Sequence, residues 1–262
     1  MKPDYKNWMP KGMVLGTLAG TAVSLILFII FGCAGIFSGK LKTVLFIIFL
    51  IATVICACVT LWMAQMYRAF SYNGRRKMSK QIIEGIAEYV KIPDGGKGLD
   101  VGCGSGVLTI ICAKRNPGAS LIGIDRWGKE YASFNKPLCE SNAKAEGVKN
   151  TEFRQGDACK LDFADETFDS VTSNYVYHNI PSKNRQEILL ETLRVLKKGG
   201  TFALHDIFSK SKYGDMQAFV KKLKDMGYEK VELIDTANGK FLTPFEAKWM
   251  SLSGSALLTG KK

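Results

Sequence analysis

Two long apolar runs near the N-terminus constrain the fold of this chain more than any other feature. They cover residues 13–37 and 43–66, and neither contains a charged side chain. A helix needs about 20 apolar residues to cross the hydrocarbon core of a bilayer, so each run is long enough. The connector 38–42 is short, which makes the two helices antiparallel neighbours. We therefore predict a membrane hairpin within residues 1–66, made of two transmembrane helices.

The basic residues of the chain are most concentrated around this hairpin. The formal net charge is +12, from 36 Lys and Arg against 24 Asp and Glu. The N-terminal flank and the basic linker 67–78 each contain a larger number of Lys and Arg residues than the connector, which has two. Because basic flanks stay on the cytoplasmic side, both termini are predicted to be cytoplasmic, in a multi-pass protein of the cell membrane. The charge indicates attraction to lipid and not to nucleic acid, since no basic stripe interleaved with aromatics follows.

Other interpretations of the two apolar runs are open at the level of sequence. The first run could be a cleaved signal peptide, although it is long and a second run follows it. Both runs could also be core helices buried inside a soluble protein. Gly12, Gly16 and Gly20 recur every four residues. That spacing either packs two membrane helices closely or places the glycines against lipid.

Strand and helix patterns alternate through residues 79–262, which form a second predicted domain. Short apolar strands are expected at 97–101, 120–124, 168–173 and 201–207, with helical patterns between them. Such alternation predicts an α/β fold with a mostly parallel sheet and helices on both faces. Ligands of these sheets bind outside the carboxyl ends of the strands, where the strand order reverses.

A glycine-rich segment follows the first of these strands. It reads Asp100-Val101-Gly102-Cys103-Gly104-Ser105-Gly106 and opens a helical pattern. Glycines let the backbone approach a ligand closely, and the start of a helix presents free N–H groups. Asp125 ends the second strand, where a carboxylate can accept both hydroxyls of a ribose. Val107 stands where a dinucleotide fingerprint has its third glycine, which argues against that class of ligand.

Residues 79–262 resemble the class I methyltransferases that depend on S-adenosylmethionine. The matching segments are GLDVGCGSG (98–106), IGID (122–125), GDA (156–158), FDSVTSNYVYHNI (168–180) and LRVLKKGG (193–200). The resemblance implies a Rossmann-like seven-stranded sheet, mostly parallel with its last strand antiparallel. Residues 230–236 and 256–259 would form the final pair of strands. It also implies S-adenosylmethionine as the cofactor.

The resemblance assigns a role to each position that matches the family motifs. The glycine loop would line the methionine portion of the cofactor, with Asp100 holding its amino group and Asp125 binding the ribose hydroxyls. Asp157 and Ala158 would contact the adenine. The remaining implied cofactor contacts are Gly102, Gly104, Ser105, Gly106, Arg126 and Asn174. Trp127 would either stack on the adenine or serve as packing.

Three residues at or just after the carboxyl ends of the fourth and fifth strands are candidates for the chemical step. His178, Tyr175 and His205 would lie near the transferred methyl group, where a side chain could orient the acceptor or remove its proton. For both histidines a purely structural role is the alternative. Asp206 follows His205 and would face the same crevice. Scattered cysteines without a CxxC pair and only two histidines predict no metal site.

The predicted function is that of a membrane-anchored methyltransferase acting on a small-molecule or lipid-like acceptor. An apolar acceptor would concentrate in the bilayer that holds the hairpin. Two alternatives from other classes are a non-catalytic membrane protein that binds S-adenosylmethionine and a nicotinamide-dependent oxidoreductase. The sequence leaves the acceptor atom and the oligomeric state open.

Overall fold

The computed structural model describes residues 2–128 and 133–262, which divide into two compact units. One unit is a helical hairpin, Asn7–Ser79. The other is an α/β domain that consists of Lys80–Lys262 together with the residues that precede Asn7. The N-terminal segment 2–6 therefore belongs to the α/β unit, whereas the sequence had suggested that it belongs with the hairpin.

The hairpin consists of two long helices of apolar side chains. α1 spans Lys11–Leu27 and continues as a π-helical turn, Phe28–Cys33, and α2 spans Gly39–Phe70. Both are long and apolar enough to cross a membrane, and their apolar stretches are not buried inside the protein. This exposure contradicts the alternative of two buried core helices, which would cover those side chains.

Both helices end at positions other than those expected from the apolar runs. The first ends at Cys33 and not at Phe37, because Ala34 adopts an extended conformation before Gly35. The second continues beyond Met66 as far as Phe70, since the intervening residues include no Gly or Pro that would interrupt a helix. The next helix begins at Met78, so the linker comprises residues 71–77.

The close approach between α1 and α2 occurs at Gly32 and not at the earlier glycines. A Cβ atom on Gly32 would lie 3.1 Å from the Phe46 Cα, whereas Gly12, Gly16 and Gly20 have nothing within 4 Å. A hydrogen bond of 2.9 Å joins the hydroxyls of Thr21 and Thr60, and Phe28 packs on Phe46. The four-residue glycine spacing therefore does not mark the helix interface.

The α/β domain contains one seven-stranded sheet, as the resemblance implied. The strand order is β3-β2-β1-β4-β5-β7-β6, in which β1 to β5 run parallel and β7 is antiparallel to both β5 and β6. The strands are β1 Lys97–Val101, β2 Ser120–Asp125, β3 Thr151–Gln155, β4 Phe168–Asn174, β5 Leu196–Ile207, β6 Lys230–Asp235 and β7 Ser255–Lys261. The order reverses between β1 and β4, which places a ligand crevice at their carboxyl ends.

Helices cover both faces of this sheet. They are α3 Met78–Ala87, α4 Val107–Arg115, α5 Lys136–Ala145, α6 Arg185–Arg194, α7 Lys210–Tyr213, α8 Met216–Asp225 and α9 Pro244–Trp249. The central strands are buried along most of their length because both faces are covered, as in other parallel sheets. Phe168 and Phe202 are fully buried in the main core cluster, which holds the sheet against α6 and α8.

Candidate active site

The glycine loop after β1 has a backbone that only glycine adopts easily. Gly102, Gly104 and Gly106 have φ values of 75°, 57° and 81°. A Cβ atom on Gly102 would collide with the Val176 side chain, and one on Gly106 would press against the Phe153 ring. The loop is therefore shaped by backbone alone, and it leads into the N-terminus of α4, where N–H groups are available to a ligand.

Asp125 at the end of β2 contacts this loop directly. Its Oδ2 accepts a hydrogen bond of 2.9 Å from the Gly104 N–H, and its Oδ1 accepts one of 2.7 Å from the Trp127 N–H. The indole N–H of Trp127 in turn donates to the Gly104 carbonyl at 3.0 Å. Each carboxylate oxygen has more than one lone-pair site, so Asp125 can still accept from two ribose hydroxyls.

Asp100, expected to hold the amino group of the methionine portion, is buried beneath the loop. It is 1% exposed and accepts hydrogen bonds from Thr109 at 2.6 Å and Thr172 at 3.1 Å. Burial raises the pKa of Asp100 to about 6, although the two threonine hydroxyls oppose that rise. The carboxyl group thus joins β1 to α4 and β4, and its role toward the methionine portion stays a prediction.

The other expected cofactor contacts lie around the same edge of the sheet. Ser105 is buried in the loop, Arg126 is exposed after β2, and the Gly156 N–H donates to the Asp125 carbonyl, so the GDA segment adjoins β2. Asp157 is exposed and accepts from the Cys159 N–H at 2.8 Å. Ala158 is half-buried beside it, and Asn174 ends β4.

These residues fit S-adenosylmethionine as the ligand. A loop in which three of five residues are glycine can receive the methionine portion closely, and an acid at the end of β2 suits a ribose. The exposed Asp157 lies one strand further along the same edge, where an adenine would extend. The contact of each residue with the cofactor stays a prediction.

His178 and Asp206 form a pair at the carboxyl ends of β4 and β5. The Nδ1 of His178 lies 2.5 Å from Oδ1 of Asp206, and the His178 N–H donates to Oδ2 at 3.1 Å. Asp206 is fully buried, whereas the His178 side chain keeps 14% of its surface exposed. The carboxylate fixes both the backbone and the ring of His178. Within residues 2–128 and 133–262, no hydrogen-bond partner is found for its Nε2.

His205 and Tyr175 were candidates for the same chemistry, and the structure places both in internal contacts. His205 is fully buried, with Nδ1 at 2.8 Å from the Asn174 Oδ1 and Nε2 at 2.8 Å from the Thr236 hydroxyl. Burial lowers the pKa of His205 to about 3, so the ring is neutral. This environment argues against contact with an acceptor and favours a structural role for His205.

Tyr175 packs between the two histidine rings. Its hydroxyl lies 2.8 Å from the Ser255 hydroxyl, and burial raises its pKa above the usual range. Its φ of 55° is unusual for an aromatic residue, which indicates local strain at the end of β4. A proton-transfer role for this phenol is therefore disfavoured, while its ring supports His178 at a centroid distance of 6.0 Å.

Asn142 is a site residue that the sequence did not reveal. Its amide N–H₂ donates to the Ser105 carbonyl and to the Asp4 carbonyl, each at 3.0 Å, and its oxygen accepts from the Asp4 N–H at 2.7 Å. Tyr5, next in the chain, donates to Glu146 at 3.1 Å. Asn142 thus links the N-terminal segment to the glycine loop, and no local motif predicts its contact with Asp4, which is 138 residues away in the sequence.

Comparison with known proteins agrees with this geometry. A family model described as a methyltransferase domain matches residues 92–249. A demethylmenaquinone methyltransferase of Lactobacillus johnsonii is 35% identical over 112 residues, which are 42% of this chain and 43% of that protein. A phosphatidylethanolamine N-methyltransferase of Cereibacter sphaeroides is 34% identical over 129 residues, 49% of this chain and 59% of that protein. The chain spans about half the length of the curated relatives it matches.

Solved structures share the fold at low sequence identity. The 4+2 cyclase SpnF aligns with a TM-score of 0.54 and 18% identity, covering 73% of this chain and 85% of its own. A geranyl diphosphate methyltransferase in complex with GPP and sinefungin aligns with a TM-score of 0.53 and 14% identity, covering 74% of this chain and 81% of its own. The chain belongs to the methyltransferase domain family.

Proposed function

We propose that this protein is a membrane-anchored methyltransferase whose acceptor is a small apolar or lipid-like molecule. The observation that carries the chemical part is the pairing of a partly exposed His178 with a buried Asp206 at the carboxyl edge of the sheet. The membrane part is supported by two helices that are long and apolar enough to cross a bilayer and whose apolar stretches are not buried.

Asp206 gives His178 the form that a general base requires. A buried carboxylate that accepts from Nδ1–H holds the imidazole in the tautomer whose Nε2 is a free acceptor. The ring is further restrained by its backbone N–H, which donates to the same carboxylate. Nε2 can then take a proton from an acceptor hydroxyl or amine bound in the crevice.

When bound, S-adenosylmethionine supplies an activated methyl group on a sulfonium, so the protein mainly positions the acceptor. The acceptor would lie against that methyl group, and His178 would take the proton that the acceptor atom loses when it is methylated. The glycine loop and Asp125 would hold the methionine and ribose portions, with Asp157 and Ala158 at the adenine. Asn174, whose side chain is bound to His205, would border the methionine portion.

The nature of the acceptor is inferred from the hairpin and from relatives. An apolar acceptor that partitions into a bilayer reaches a high local concentration around an enzyme held in that bilayer. The names of two relatives indicate action on a quinone and on a phospholipid, both of which are membrane molecules. These names describe those proteins, and we extend to this chain only the shared apolar character of the acceptors.

The experiment that tests this proposal is methyl transfer in a bilayer. The full chain, reconstituted in vesicles made from a total lipid extract, is supplied with S-adenosylmethionine carrying a tritiated methyl group. We expect label in the organic phase, and the Asp125→Ala variant provides the background. Binding of the cofactor without label in any lipid would contradict the proposal and favour a sensor that does not catalyse transfer. Label found only in water-soluble products would refute the apolar acceptor.

The topology is tested separately. Because the basic flanks favour the cytoplasmic side, a reporter fused after Lys262 should be cytoplasmic. A cysteine placed at Ser38 should react with a membrane-impermeant reagent from outside. A reporter on the outer face would contradict the proposed enzyme, since S-adenosylmethionine would have to be supplied there.

A further inference from the structure

The connection between β6 and β7, residues 236–254, lies at the catalytic edge of the sheet. Asp235 pairs with Ala256 where the connection leaves and re-enters the sheet, and Ile207 at the carboxyl end of β5 pairs with Ser255. The Phe241 ring packs on His205 at a centroid distance of 5.5 Å. This connection therefore borders the crevice that holds the His178–Asp206 pair.

Two aromatic side chains stand out from this connection into solvent. Phe245 is 73% exposed and Trp249 is 45% exposed, and their rings are stacked at 6.1 Å with an interplanar angle of 9°. They lie four residues apart on one face of α9. Among the described residues of the α/β domain, Met226 is the only other large apolar side chain that is exposed to this degree.

The exposed pair is held on a rigid support. Thr243 and Glu246 form a reciprocal capping box at the start of α9. Ala247 inside α9, and Leu242 and Met250 next to its two ends, are buried in the domain. The helix thus holds the two aromatic rings outward, while the apolar residues within it and next to its ends are already buried.

We propose that Phe245 and Trp249 insert into the interfacial region of an anionic bilayer and hold the mouth of the crevice against it. This inference rests on the membrane placement of the hairpin in the proposed function. Tryptophan and phenylalanine on one side of a short amphipathic element are typical of interfacial binding. Insertion at this edge would let an apolar acceptor pass from the leaflet to His178 without crossing water.

The charges around the pair fit the same partner. Lys240 and Lys248 are exposed on this connection, and the Lys240 ammonium lies 5.4 Å from the centre of the Tyr89 ring. The acid in α9, Glu246, is engaged in the capping box. A cation is attracted to an anionic leaflet, so the lysines would reinforce the insertion of the rings.

The size of the patch favours a membrane over a second copy of the chain. Two fully exposed aromatic side chains would bury roughly 300–500 Å² in total, and these two are already partly covered. The patch is therefore well below the roughly 800 Å² per partner of a stable protein interface. A tethered domain needs much less contact area, because the tether raises its effective concentration at the surface. The residues 71–77 that join α2 to α3 span at most about 25 Å, which keeps the domain within reach of the bilayer.

Fluorescence of Trp249 in the full chain tests this inference without any turnover. The protein is reconstituted in vesicles of equal parts phosphatidylcholine and phosphatidylglycerol, with or without bromine on the acyl chains. The signal of Trp249 is the difference between the wild type and Trp249→Phe, since the chain has four tryptophans. We expect brominated lipid to quench that difference at least twofold. Shielding of Trp249 from aqueous acrylamide without quenching by brominated lipid would indicate a protein partner and overturn the inference.

Matched variants separate docking from the other proposals. Phe245→Ser should halve the quenching of Trp249, whereas Met226→Ser should leave it unchanged, because Met226 precedes β6 at the opposite edge of the sheet. Both variants should bind S-adenosylmethionine as the wild type does. Quenching of Trp62 in α2 without quenching of Trp249 would refute the docking alone. Absence of quenching at both Trp62 and Trp249 would refute the membrane placement of the hairpin as well.

Discussion

The half of the crevice formed by β1 and β2 is lined mostly by backbone, whereas the half formed by β4 and β5 is lined by side chains. In the first half, three glycines with positive φ shape a loop, and one carboxylate, Asp125, holds it from below. In the second half, His178, Asp206 and Tyr175 depend on hydrogen bonds between side chains. A cofactor shared by many enzymes suits the first construction, and an acceptor that differs between enzymes suits the second.

The two halves also differ in how far apart their parts lie in the sequence. The glycine loop and Asp125 follow consecutive strands and are 21 residues apart at their contact. On the acceptor side, Tyr175 and Ser255 are 80 residues apart, and His178 and Asp206 are 28 apart. Substitutions in the two halves should therefore separate binding of the cofactor from transfer of the methyl group.

The largest effect is expected from His178→Ala, which removes the proposed base. Turnover should fall by roughly 10²–10⁴-fold, the range for a general base, while the affinity for S-adenosylmethionine stays within twofold. Single-turnover kinetics and calorimetry on the full chain in detergent micelles measure the two quantities. Asp206→Asn should give a smaller loss of turnover, because an amide can still accept from Nδ1–H but carries no charge.

Imidazole added to His178→Ala distinguishes a base from a structural residue. A small imidazole can occupy the space left by the ring and accept the proton, so turnover should rise with its concentration. A loss of turnover without rescue, accompanied by a loss of cofactor affinity, would mean that His178 supports both halves. The assignment of cofactor binding to one half and methyl transfer to the other would then be wrong.

A second prediction concerns Asp100, a buried side chain within the backbone-lined half. Its pKa is about 6 in the folded protein and 3.8 in an unfolded chain, so the folded state binds more protons between these values. The contribution of Asp100 to the free energy of unfolding should therefore be largest below pH 4. It should fall by about 3 kcal/mol in all as the pH rises through 6. Chemical unfolding of the wild type and Asp100→Asn at pH 4 and pH 7 measures it. The asparagine variant should gain relative stability at pH 7, and equal pH dependence of the two would contradict the assignment.

A third prediction tests Asp125 as the anchor of the cofactor. Asp125→Ala should weaken binding of S-adenosylmethionine at least tenfold, since charge-assisted hydrogen bonds to two hydroxyls are each worth roughly 1.5–3 kcal/mol. Calorimetry on the full chain in micelles gives the affinity. Asp225→Ala, which removes an exposed carboxylate paired with Lys221 on α8, serves as the control. Equal affinities for both variants would remove Asp125 from the binding site.

The smallest effect is expected in the hairpin, where the close approach of the two helices also requires a glycine. Gly32→Ala should destabilise the hairpin by about 1 kcal/mol, because its Cβ would lie within 3.3 Å of Phe46 and Phe28 atoms. Gly16→Ala should be neutral or slightly stabilising, since nothing lies within 4 Å and alanine favours a helix. Unfolding in mixed detergent micelles compares the two. A larger loss at Gly16 would restore the four-residue glycine pattern as the helix interface.

Features set by short stretches of sequence could be predicted, and features set by long-range contacts could not. The seven-stranded sheet, its antiparallel last strand and the two apolar helices were predicted from local patterns and family motifs. The ends of the helices differed, since Ala34 and the helical Tyr67 depend on local conformation that composition does not determine. Asn142 was missed because its contacts with Asp4 and Ser105 arise only in the folded chain. His205 was included because it lies near the carboxyl end of β5, although its ring is buried and makes two hydrogen bonds.

The reversed direction of β7 has an evolutionary consequence. Since β7 runs against β5 and β6, the chain must turn at the catalytic edge to enter it, and residues 236–254 form that turn. Insertion, deletion or exchange there would remodel the rim of the crevice without altering the glycine loop or Asp125. A lineage could therefore change what it methylates, or which surface it works on, by editing one contiguous segment. The residues that bind the shared cofactor would remain unchanged.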